Sequence, residues 1–162
     1  MSEEFVIRRG SANDAAIIAR HRARMFLDMG EISEEAAKNL QAKAEPLIAA
    51  AINEGTYLAW LATAKEDAQT ILAGAGLQLH RIFPRPFKFN GVSEGKQAVI
   101  VNVYTEPQWR KRGLASRLIH EILEWSKPHH FDRLILHASP DGHSVYEKLG
   151  FADSNEMRFV GK

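Results

Sequence analysis

The spacing of hydrophobic residues predicts strands and helices along the whole chain. Runs rich in β-branched and aromatic residues, bounded by turn residues, predict strands at 4–9, 57–63, 71–79, 98–104 and 132–139. Apolar residues at helical spacing predict helices at 11–29, 33–44, 46–54, 115–127 and 141–149. A closing strand or hairpin is predicted at 151–160. This order is typical of a mixed α/β fold with a central, mostly antiparallel sheet.

Local signals set several helix boundaries. Ser11 and Asp14 have the spacing of a capping box at a helix start. Gly30 suits the position that follows the last residue of a helix. Pro46 suits the first turn of a helix better than a helix interior, because proline lacks the N–H that an interior position uses. The sequence therefore predicts two separate helices on either side of this position.

The strand at 71–79 and the connection after it are irregular. Gly74 and Gly76 weaken the strand and indicate a β-bulge. The connection at 80–96 holds two prolines and three phenylalanines and has neither helical nor strand periodicity. Two interpretations stay open for it. It is either a hairpin loop whose aromatic rings pack on the sheet edge, or a substrate lid or dimer contact.

Composition narrows the class of protein. A chain of 162 residues, 45% of them hydrophobic, is expected to form a single domain over 1–162. The absence of cysteine excludes a thiol nucleophile, a disulfide framework and a Cys-ligated zinc site, and we expect no metal and a cytoplasmic location. The acidic start, residues 1–4, and the lack of a long apolar run predict no signal peptide and no membrane partner. A net charge of +1 gives no electrostatic reason to expect a nucleic acid partner.

The stretch between the strand at 98–104 and the next helix has the composition of an anion-binding loop. It reads Arg110-Lys111-Arg112-Gly113-Leu114-Ala115-Ser116, and residues 110–116 are called the phosphate loop below. The first N–H groups of a helix have no carbonyl partners and carry partial positive charge, so an anion binds there readily. Gly113 lets a pyrophosphate approach the main chain, and the small Ala115 leaves the next amides accessible.

A second motif, Val145-Tyr146-Glu147-Lys148-Leu149-Gly150-Phe151, lies near the end of the chain. With these two motifs the chain resembles the GNAT superfamily of N-acetyltransferases. Members of that family bind acetyl-CoA with an Arg/Gln-x-x-Gly-x-Gly/Ala loop and often carry a Leu-Tyr-Glu-Lys-Leu-Gly-Phe-like segment. The two motifs and the elements between them cover about residues 97–160.

The resemblance implies roles for several residues. The strands at 98–104 and 133–139 would be parallel neighbours that splay apart around acetyl-CoA, with the phosphate loop on its pyrophosphate. Main-chain groups at Val103 and Tyr104 would bind the acetyl group. Tyr146 would protonate the departing thiolate, since a phenol with a pKa of about 10 is protonated at neutral pH. Many members have an asparagine seven residues before this tyrosine; here Ser139 stands there, and Ser139 or Asp141 is the expected replacement.

The resemblance also implies an acceptor pocket beside the end of the first helix. Phe26 on that helix and Phe87 on the 80–96 connection are the expected wall residues. Asn102 interrupts an apolar strand and is either a substrate or water contact or a satisfied buried amide. His137 is preferred as the general base by its location, and the alternatives are a water relay, His80, His143 and Glu106.

We therefore expect an N-acetyltransferase that moves an acetyl group from acetyl-CoA to a primary amine of a small molecule by direct attack in a ternary complex. The alternatives are acetylation of a protein lysine or N terminus, transfer of a longer acyl chain, and a non-catalytic CoA-binding sensor or interaction module. The positive charges at 110–117 serve one loop and form no extended basic surface, which disfavours nucleic acid binding. A monomer and a homodimer both stay open.

Overall fold

The computed structural model describes residues 4–161. Residues 1–3, which belong to the acidic start of the chain, and residue 162 lie outside the described residues. The elements, in chain order, are β1 (Phe5–Arg9), α1 (Ala15–Asp28), α2 (Glu34–Glu54), β2 (Tyr57–Ala64), β3 (Ile71–Arg81), β4 (Pro86–Phe87), β5 (Gly91–Val92), β6 (Lys96–Thr105), α3 (Leu114–Ser126), β7 (Arg133–Leu136) and α4 (His143–Lys148).

Five strands form one sheet in the order β1-β2-β3-β6-β7. Neighbouring strands are antiparallel except β6 and β7, which pair in parallel over residues 97–100 and 133–136. The helices α1 and α2 pack on one face of the sheet and α3 packs on the other, so each face has its own apolar core. The mixed α/β fold with a central, mostly antiparallel sheet and one parallel strand pair is confirmed.

Several local predictions are also confirmed. Ser11 and Asp14 form the capping box, followed by a short 3₁₀ turn that leads into α1. Gly30 follows α1 with a φ of 72°, a conformation that glycine adopts without strain. The strands predicted at 57–63 and 71–79 are present as β2 and β3, which pair as an antiparallel hairpin. Among the described residues, no helix has the length and apolar character needed to cross a lipid bilayer.

The predicted break at Pro46 is wrong, because α2 runs unbroken from Glu34 to Glu54. Pro46 lies on the exposed face of the helix, where water hydrates the carbonyl group that loses its helical partner. Ala44 and Ile48 on the other face are buried in the core beneath α1 and α2. Packing on both sides of the proline therefore holds the two halves in one helix.

The connection at 80–96 forms a small hairpin. β3 extends to Arg81, β6 begins at Lys96, and β4 pairs with β5 beyond that end of the sheet. We call residues 82–95 the β4–β5 hairpin. The side chains of Phe83, Phe87 and Phe89 are 93%, 57% and 99% exposed. A hairpin is therefore present, but the expected packing of its aromatic rings on the sheet edge is wrong.

The closing strand or hairpin predicted at 151–160 is wrong for the single chain. Residues 151–161 form no strand, and we call them the C-terminal segment. A strand is stable only when its backbone N–H and C=O groups find partners in a neighbouring strand. β7 pairs with β6 alone, so its other edge is not paired with this segment.

A buried polar cluster joins α1 to the end of β6. His21 is 1% exposed, and its Nε2 lies 3.3 Å from a carboxylate oxygen of Glu106. The same carboxylate accepts a hydrogen bond from Arg20. The imidazole ring packs on Tyr104, with 4.9 Å between the ring centroids. Gly74 of β3 makes room for it, since a Cβ there would lie 3.3 Å from Nδ1 of His21.

The charges of this cluster follow from its burial. Burial lowers the pKa of His21 to about 4, although the nearby Glu106 carboxylate opposes the shift. The imidazole is therefore neutral at pH 7, and its Nε2–H donates to that carboxylate. Burial by itself raises the pKa of Glu106, but the hydrogen bond and charge of Arg20, with smaller effects of His21, outweigh it and lower the pKa. Glu106 is thus ionised, and its carboxylate already accepts hydrogen bonds from Arg20 and His21, which disfavours it as a general base.

The cluster predicts that stability falls as the pH falls from neutrality. His21 has a lower pKa in the folded chain than its ordinary value, so the unfolded chain takes up the proton first. Stability that is present above about pH 6.5 is lost towards pH 4, and the shift corresponds to at most about 3 kcal/mol. His21→Gln should flatten the decline in the free energy of unfolding, measured by urea titration between pH 7 and 4.5. His80→Gln, which alters an exposed histidine, is the control; equal slopes for wild type and His21→Gln would contradict the assignment.

Candidate active site

The β6 strand carries one extra residue near the centre of the sheet. Val101 pairs with Gly76, and Tyr104 pairs with Gly74, so two residues of β6 oppose one residue of β3. Asn102, the first of the two, has a φ of 57°. Asparagine tolerates this left-handed conformation better than most residues. The predicted bulge is confirmed, with its extra residue on the strand opposite the two glycines.

Two hydrogen bonds hold the side chain of Asn102. Its Oδ1 accepts from Arg22 at 2.8 Å, and its Nδ2 donates to the Tyr57 hydroxyl at 3.0 Å. Gly76 leaves room for that hydroxyl, since a Cβ there would lie 1.9 Å from it. Burial raises the pKa of Tyr57 to about 12, so the phenol stays protonated. Of the two roles considered for Asn102, these contacts favour the satisfied buried amide over the substrate contact.

The bulge lies where β6 and β7 separate. Their ladder ends at Ile100 and Leu136, and β6 continues to Thr105 with no partner on that side. Asn102 and Val103 also have no partner residue in β3. Their peptide groups are therefore outside both ladders of the sheet, next to the gap between the two parallel strands. The splay predicted between 98–104 and 133–139 is present in the structure.

The phosphate loop follows the end of β6 and leads into α3. The backbone N–H groups of residues 111–116 donate to no acceptor among the described residues, whereas the N–H of Arg117 bonds to the Gly113 carbonyl at 3.0 Å. Lys111 and Gly113 have φ angles of 61° and 79°, and left-handed residues of this kind make anion-binding concavities from successive N–H groups. A Cβ at Gly113 would meet nothing within 4 Å, so the space beside the loop is open.

The two arginines of the phosphate loop have partners within the protein. Arg110 donates from Nη2 to Asp28 at 2.6 Å and from Nε to the Thr105 carbonyl at 3.0 Å. Arg112 donates to Glu4 at 3.2 Å. These contacts tie the loop to the end of α1, to β6 and to the chain before β1. The main-chain N–H groups of residues 111–116, including those of Leu114, Ala115 and Ser116, are therefore the principal donors that the loop offers to an anion.

Tyr146 lies on α4 and packs against the core that α3 covers. Its ring meets Phe151 edge-on, with 6.1 Å between centroids, and burial raises the pKa of its phenol. Gly142 lies close to the ring, since a Cβ there would be 3.0 Å from it. Ser139 accepts a hydrogen bond from the N–H of Gly142 at 3.2 Å and so shapes the turn into α4. Its position after β7 is next to the predicted cofactor gap, but its hydroxyl also has this structural partner.

His137 follows β7 directly and is not gathered into a buried site. Its side chain is 75% exposed, and its Nε2 lies 3.8 Å from a carboxylate oxygen of Glu156. Within the same part of the chain, no three His, Asp or Glu side chains converge as metal ligands would. The structure therefore supplies no geometric reason to prefer His137 over a base that acts through water.

Phe26 lines an open groove of about 480 Å³ between α1 and α2. The Arg22 guanidinium lies 5.1 Å from the centroid of the Phe26 ring and also binds Asn102, so the groove adjoins the bulge. The groove is lined by Arg22, Phe26, Glu31, Ile32, Ala36, Asn39, Leu40 and Lys43. We call it the acceptor groove, after the acceptor pocket that was predicted beside the end of this helix. Its surface combines an apolar wall with two basic side chains and one acidic side chain.

Phe87 lies on the other side of the molecule from Phe26. The β4–β5 hairpin ends directly before Lys96, and the strand from Lys96 to Asn102, a rise of six residues, spans about 20 Å. The structure does not bring Phe26 and Phe87 together, so the prediction of one pocket lined by both is wrong.

Sequence reasoning missed the polar residues that hold the site in place. Arg22 and Tyr57 fix the bulge, and Arg20 and His21 fix Glu106 at the end of β6. One signal was available, since three consecutive polar residues at 20–22 interrupt the apolar pattern of α1. Their partners are more than thirty positions away along the chain, and no local pattern pairs them.

Comparisons with known proteins agree with this geometry. A model described as the acetyltransferase (GNAT) family matches residues 20–151. The aminoglycoside N(6')-acetyltransferase type 1 of Serratia marcescens is 29% identical over 94 residues, which cover 56% of this chain and 64% of that protein. The match therefore spans less than two thirds of that relative's length.

Two solved structures share the whole fold. The GCN5-related N-acetyltransferase from Ralstonia eutropha JMP134 superposes with a TM-score of 0.81 at 24% identity, covering 96% of this chain and 97% of that chain. A predicted acetyltransferase with acetyl-CoA from Clostridium acetobutylicum gives a TM-score of 0.78 at 25% identity, covering 97% and 96%. Because the family match extends over most of the sequence and both sequence motifs lie in the expected elements, the chain belongs to the GNAT family of acetyltransferases.

Proposed function

We propose that this protein transfers an acetyl group from acetyl-CoA to a primary amine of a small molecule. The observation that carries the proposal is the placement of the phosphate loop at the end of the strand that carries the bulge. Donors for a pyrophosphate thus lie along the same gap as the peptide groups of Asn102 and Val103, which have no register partner in β3 or β7. The relative from Clostridium acetobutylicum, solved with acetyl-CoA, has this fold.

The loop suits a pyrophosphate for two reasons. Six consecutive residues, 111–116, have N–H groups without acceptors among the described residues, and they lie at the start of a thirteen-residue helix. The helix dipole and these donors act together on a negative charge. The exposed Lys111 adds positive charge without an internal partner of its own among the described residues. The adjoining gap between β6 and β7 then takes the long arm that carries the thioester.

The reaction needs no covalent enzyme intermediate. The neutral amine nitrogen attacks the thioester carbonyl carbon, the carbonyl oxygen takes the developing negative charge, and a peptide N–H at Val103 or Tyr104 stabilises it. The carbon–sulfur bond then breaks, and the phenol of Tyr146 gives its proton to the departing thiolate. The proton lost by the amine passes to water, and the phenolate is reprotonated from solvent. Burial keeps the phenol protonated until that step, because it raises the pKa of Tyr146.

The acceptor groove favours an amine with an apolar body. Phe26, Ile32 and Leu40 supply the apolar wall, and Arg22 and Lys43 outnumber the acidic Glu31. A net positive lining disfavours a highly charged polycation. The relative from Serratia marcescens is named for aminoglycosides, so aminoglycosides belong in the same test panel as arylalkylamines and amino sugars.

Release of free CoA thiol, measured with and without each amine, tests the proposal directly. Amine-dependent release, with acetylated product seen by mass spectrometry, is the expected result. Acetyl-CoA binding without release for any amine would favour the non-catalytic sensor. Release that requires a peptide with a free lysine or N terminus would favour the protein acetyltransferase, and faster release from a longer acyl-CoA would favour that donor.

Gly113→Val tests the phosphate loop. The valine side chain would occupy the open space beside the N–H groups and strain a backbone with a φ of 79°. We expect at least a tenfold loss of acetyl-CoA affinity, about 1.4 kcal/mol, by calorimetry. Gly55→Val is the matched control, because Gly55 has a φ of 77°, equally open surroundings and a place at the end of α2. Equal acetyl-CoA affinities for the two folded variants would contradict the assignment of the phosphate loop to pyrophosphate binding.

Tyr146→Phe tests the general acid. The phenyl ring keeps the packing against the core and Phe151, so folding and acetyl-CoA affinity should match wild type. Loss of the positioned proton should lower kcat about a hundredfold. Phe151→Leu, which alters the neighbouring ring without removing a proton, is the control. A Tyr146→Phe rate within twofold of wild type would assign Tyr146 to packing alone.

Phe26→Ala tests the acceptor groove. Removing the ring takes apolar surface from one substrate only, so we expect the acceptor KM to rise at least fivefold, about 1 kcal/mol, with acetyl-CoA affinity unchanged. Phe87→Ala removes the same ring from the β4–β5 hairpin and should leave the acceptor KM unchanged. An effect of Phe87→Ala without one of Phe26→Ala would place the acceptor at the hairpin instead.

A further inference from the structure

The two basic side chains of the acceptor groove have no carboxylate partner within the part of the chain that the structure describes. Arg22 is contributed by α1 and Lys43 by α2, so positive charge reaches the groove from both helices. By contrast, Arg20, two positions earlier on α1, is paired with Glu106. The groove therefore presents positive charge that the described residues leave uncompensated.

The guanidinium of Arg22 is half-buried, and one of its edges is unused. Its Nη1 donates to the neutral Oδ1 of Asn102 at 2.8 Å, whereas Nε and Nη2 have no acceptor among the described residues. A guanidinium presents its N–H donors in a planar fork, and a carboxylate binds such an edge with two parallel hydrogen bonds. The unused edge of Arg22 is thus a carboxylate-binding group that is already held in place by its other contact.

The lining of the groove as a whole complements a molecule with one negative charge. Arg22 and Lys43 are balanced only in part by Glu31, which forms an ion pair with neither of them. One anionic group on the acceptor would bring the charge of the lining to zero. The rest of the wall is largely apolar, with Phe26 beneath the guanidinium at 5.1 Å from its ring centroid. The matching molecule therefore combines one anionic group with an apolar body.

Arg22 also lies close to the position proposed for the thioester. It contacts the side chain of Asn102, and the next two residues, Val103 and Tyr104, carry the peptide groups proposed to bind the thioester carbonyl. An anion on the free edge of the guanidinium would be separated from that carbonyl by little more than the guanidinium and one residue of β6. An amine that attacks there is therefore only a few bonds away from the anionic group of the same molecule.

We propose that the acceptor is an α-amino acid with an apolar side chain. Its carboxylate binds the free edge of Arg22, with Lys43 adding positive charge, its side chain packs on Phe26, and its α-amine faces the thioester. The nitrogen gains the acetyl group through a new carbon–nitrogen bond, CoA leaves as the thiol, and the proton of the ammonium group passes to water. The proposal names the acceptor of the proposed acetyl transfer and so rests on that function.

Amino acids and their primary amides, compared as acceptors, test the proposal. Leucine, methionine and phenylalanine are each paired with the amide of the same amino acid, which keeps the amine and the side chain and loses only the negative charge. We expect kcat/KM, from release of CoA thiol at pH 8, to be at least tenfold higher for each acid than for its amide. Comparable values, or release with other amines alone, would overturn the proposal and leave the acetyl transfer intact. Release with no amine would instead contradict the proposed function, and this proposal with it.

6-Aminohexanoate tests the short distance between the amine and the carboxylate. It carries both groups and an apolar chain, but five carbon atoms separate them. If Arg22 holds the carboxylate beside the bulge, this compound should have a kcat/KM at least tenfold below that of leucine. A value equal to that of leucine would contradict the assignment to α-amino acids.

Substitutions of the two basic residues identify the groups that recognise the carboxylate. Arg22→Gln should lower the ratio of kcat/KM for acid over amide at least tenfold. A shift of the bulge affects both acceptors alike, so the ratio separates recognition of charge from the structural contact with Asn102. Lys43→Gln alters an exposed side chain and should lower the ratio at least threefold. Lys38→Gln is the matched control, since Lys38 is exposed on the same helix outside the groove. A wild-type ratio in Arg22→Gln, or in Lys43→Gln if the first variant does not fold, would overturn the proposal.

Discussion

The left-handed backbone at Asn102 is the constraint on which the rest of the site depends. A part-buried hydrogen bond from Arg22 and a buried one to Tyr57 hold a conformation that a residue with a side chain rarely adopts. The extra residue breaks the ladder between β3 and β6 at the level where β6 and β7 separate. At this point the peptide groups of Asn102 and Val103 have a register partner on neither side of β6.

Neighbouring contacts connect the bulge to both proposed binding surfaces. Arg22 contacts Asn102 on one side and lies over Phe26 of the acceptor groove on the other. At the end of the same strand, Arg110 joins Thr105 to Asp28, so the phosphate loop is tied to the end of α1. One helix therefore positions the donor side and the acceptor side of the proposed reaction, which suits direct transfer between two bound molecules.

Local sequence patterns predicted much of the fold. They were wrong where contacts with residues far along the chain determine the local structure. The capping box and the Gly74 and Gly76 bulge depend on neighbouring residues and are confirmed, and a helix begins directly after Gly113 as predicted. The predicted helix break at Pro46 is wrong because packing on both sides of the proline overrides its local preference. The predicted closing strand is wrong because a strand needs a neighbouring strand to pair with. The contacts of Arg22, Tyr57 and His21 join residues far apart along the chain, so periodicity and spacing carry no information about them.

The proposed function requires that acetyl-CoA bind along the phosphate loop and the bulge of β6. Amide chemical shifts of the ¹⁵N-labelled protein, followed during titration with acetyl-CoA and no amine, test this most directly. We expect the largest changes on residues 111–116 and on Val103 and Tyr104, whose peptide groups lie beside the gap. Changes confined to the acceptor groove or to the groove between β1 and α3, with the loop unaffected, would contradict it.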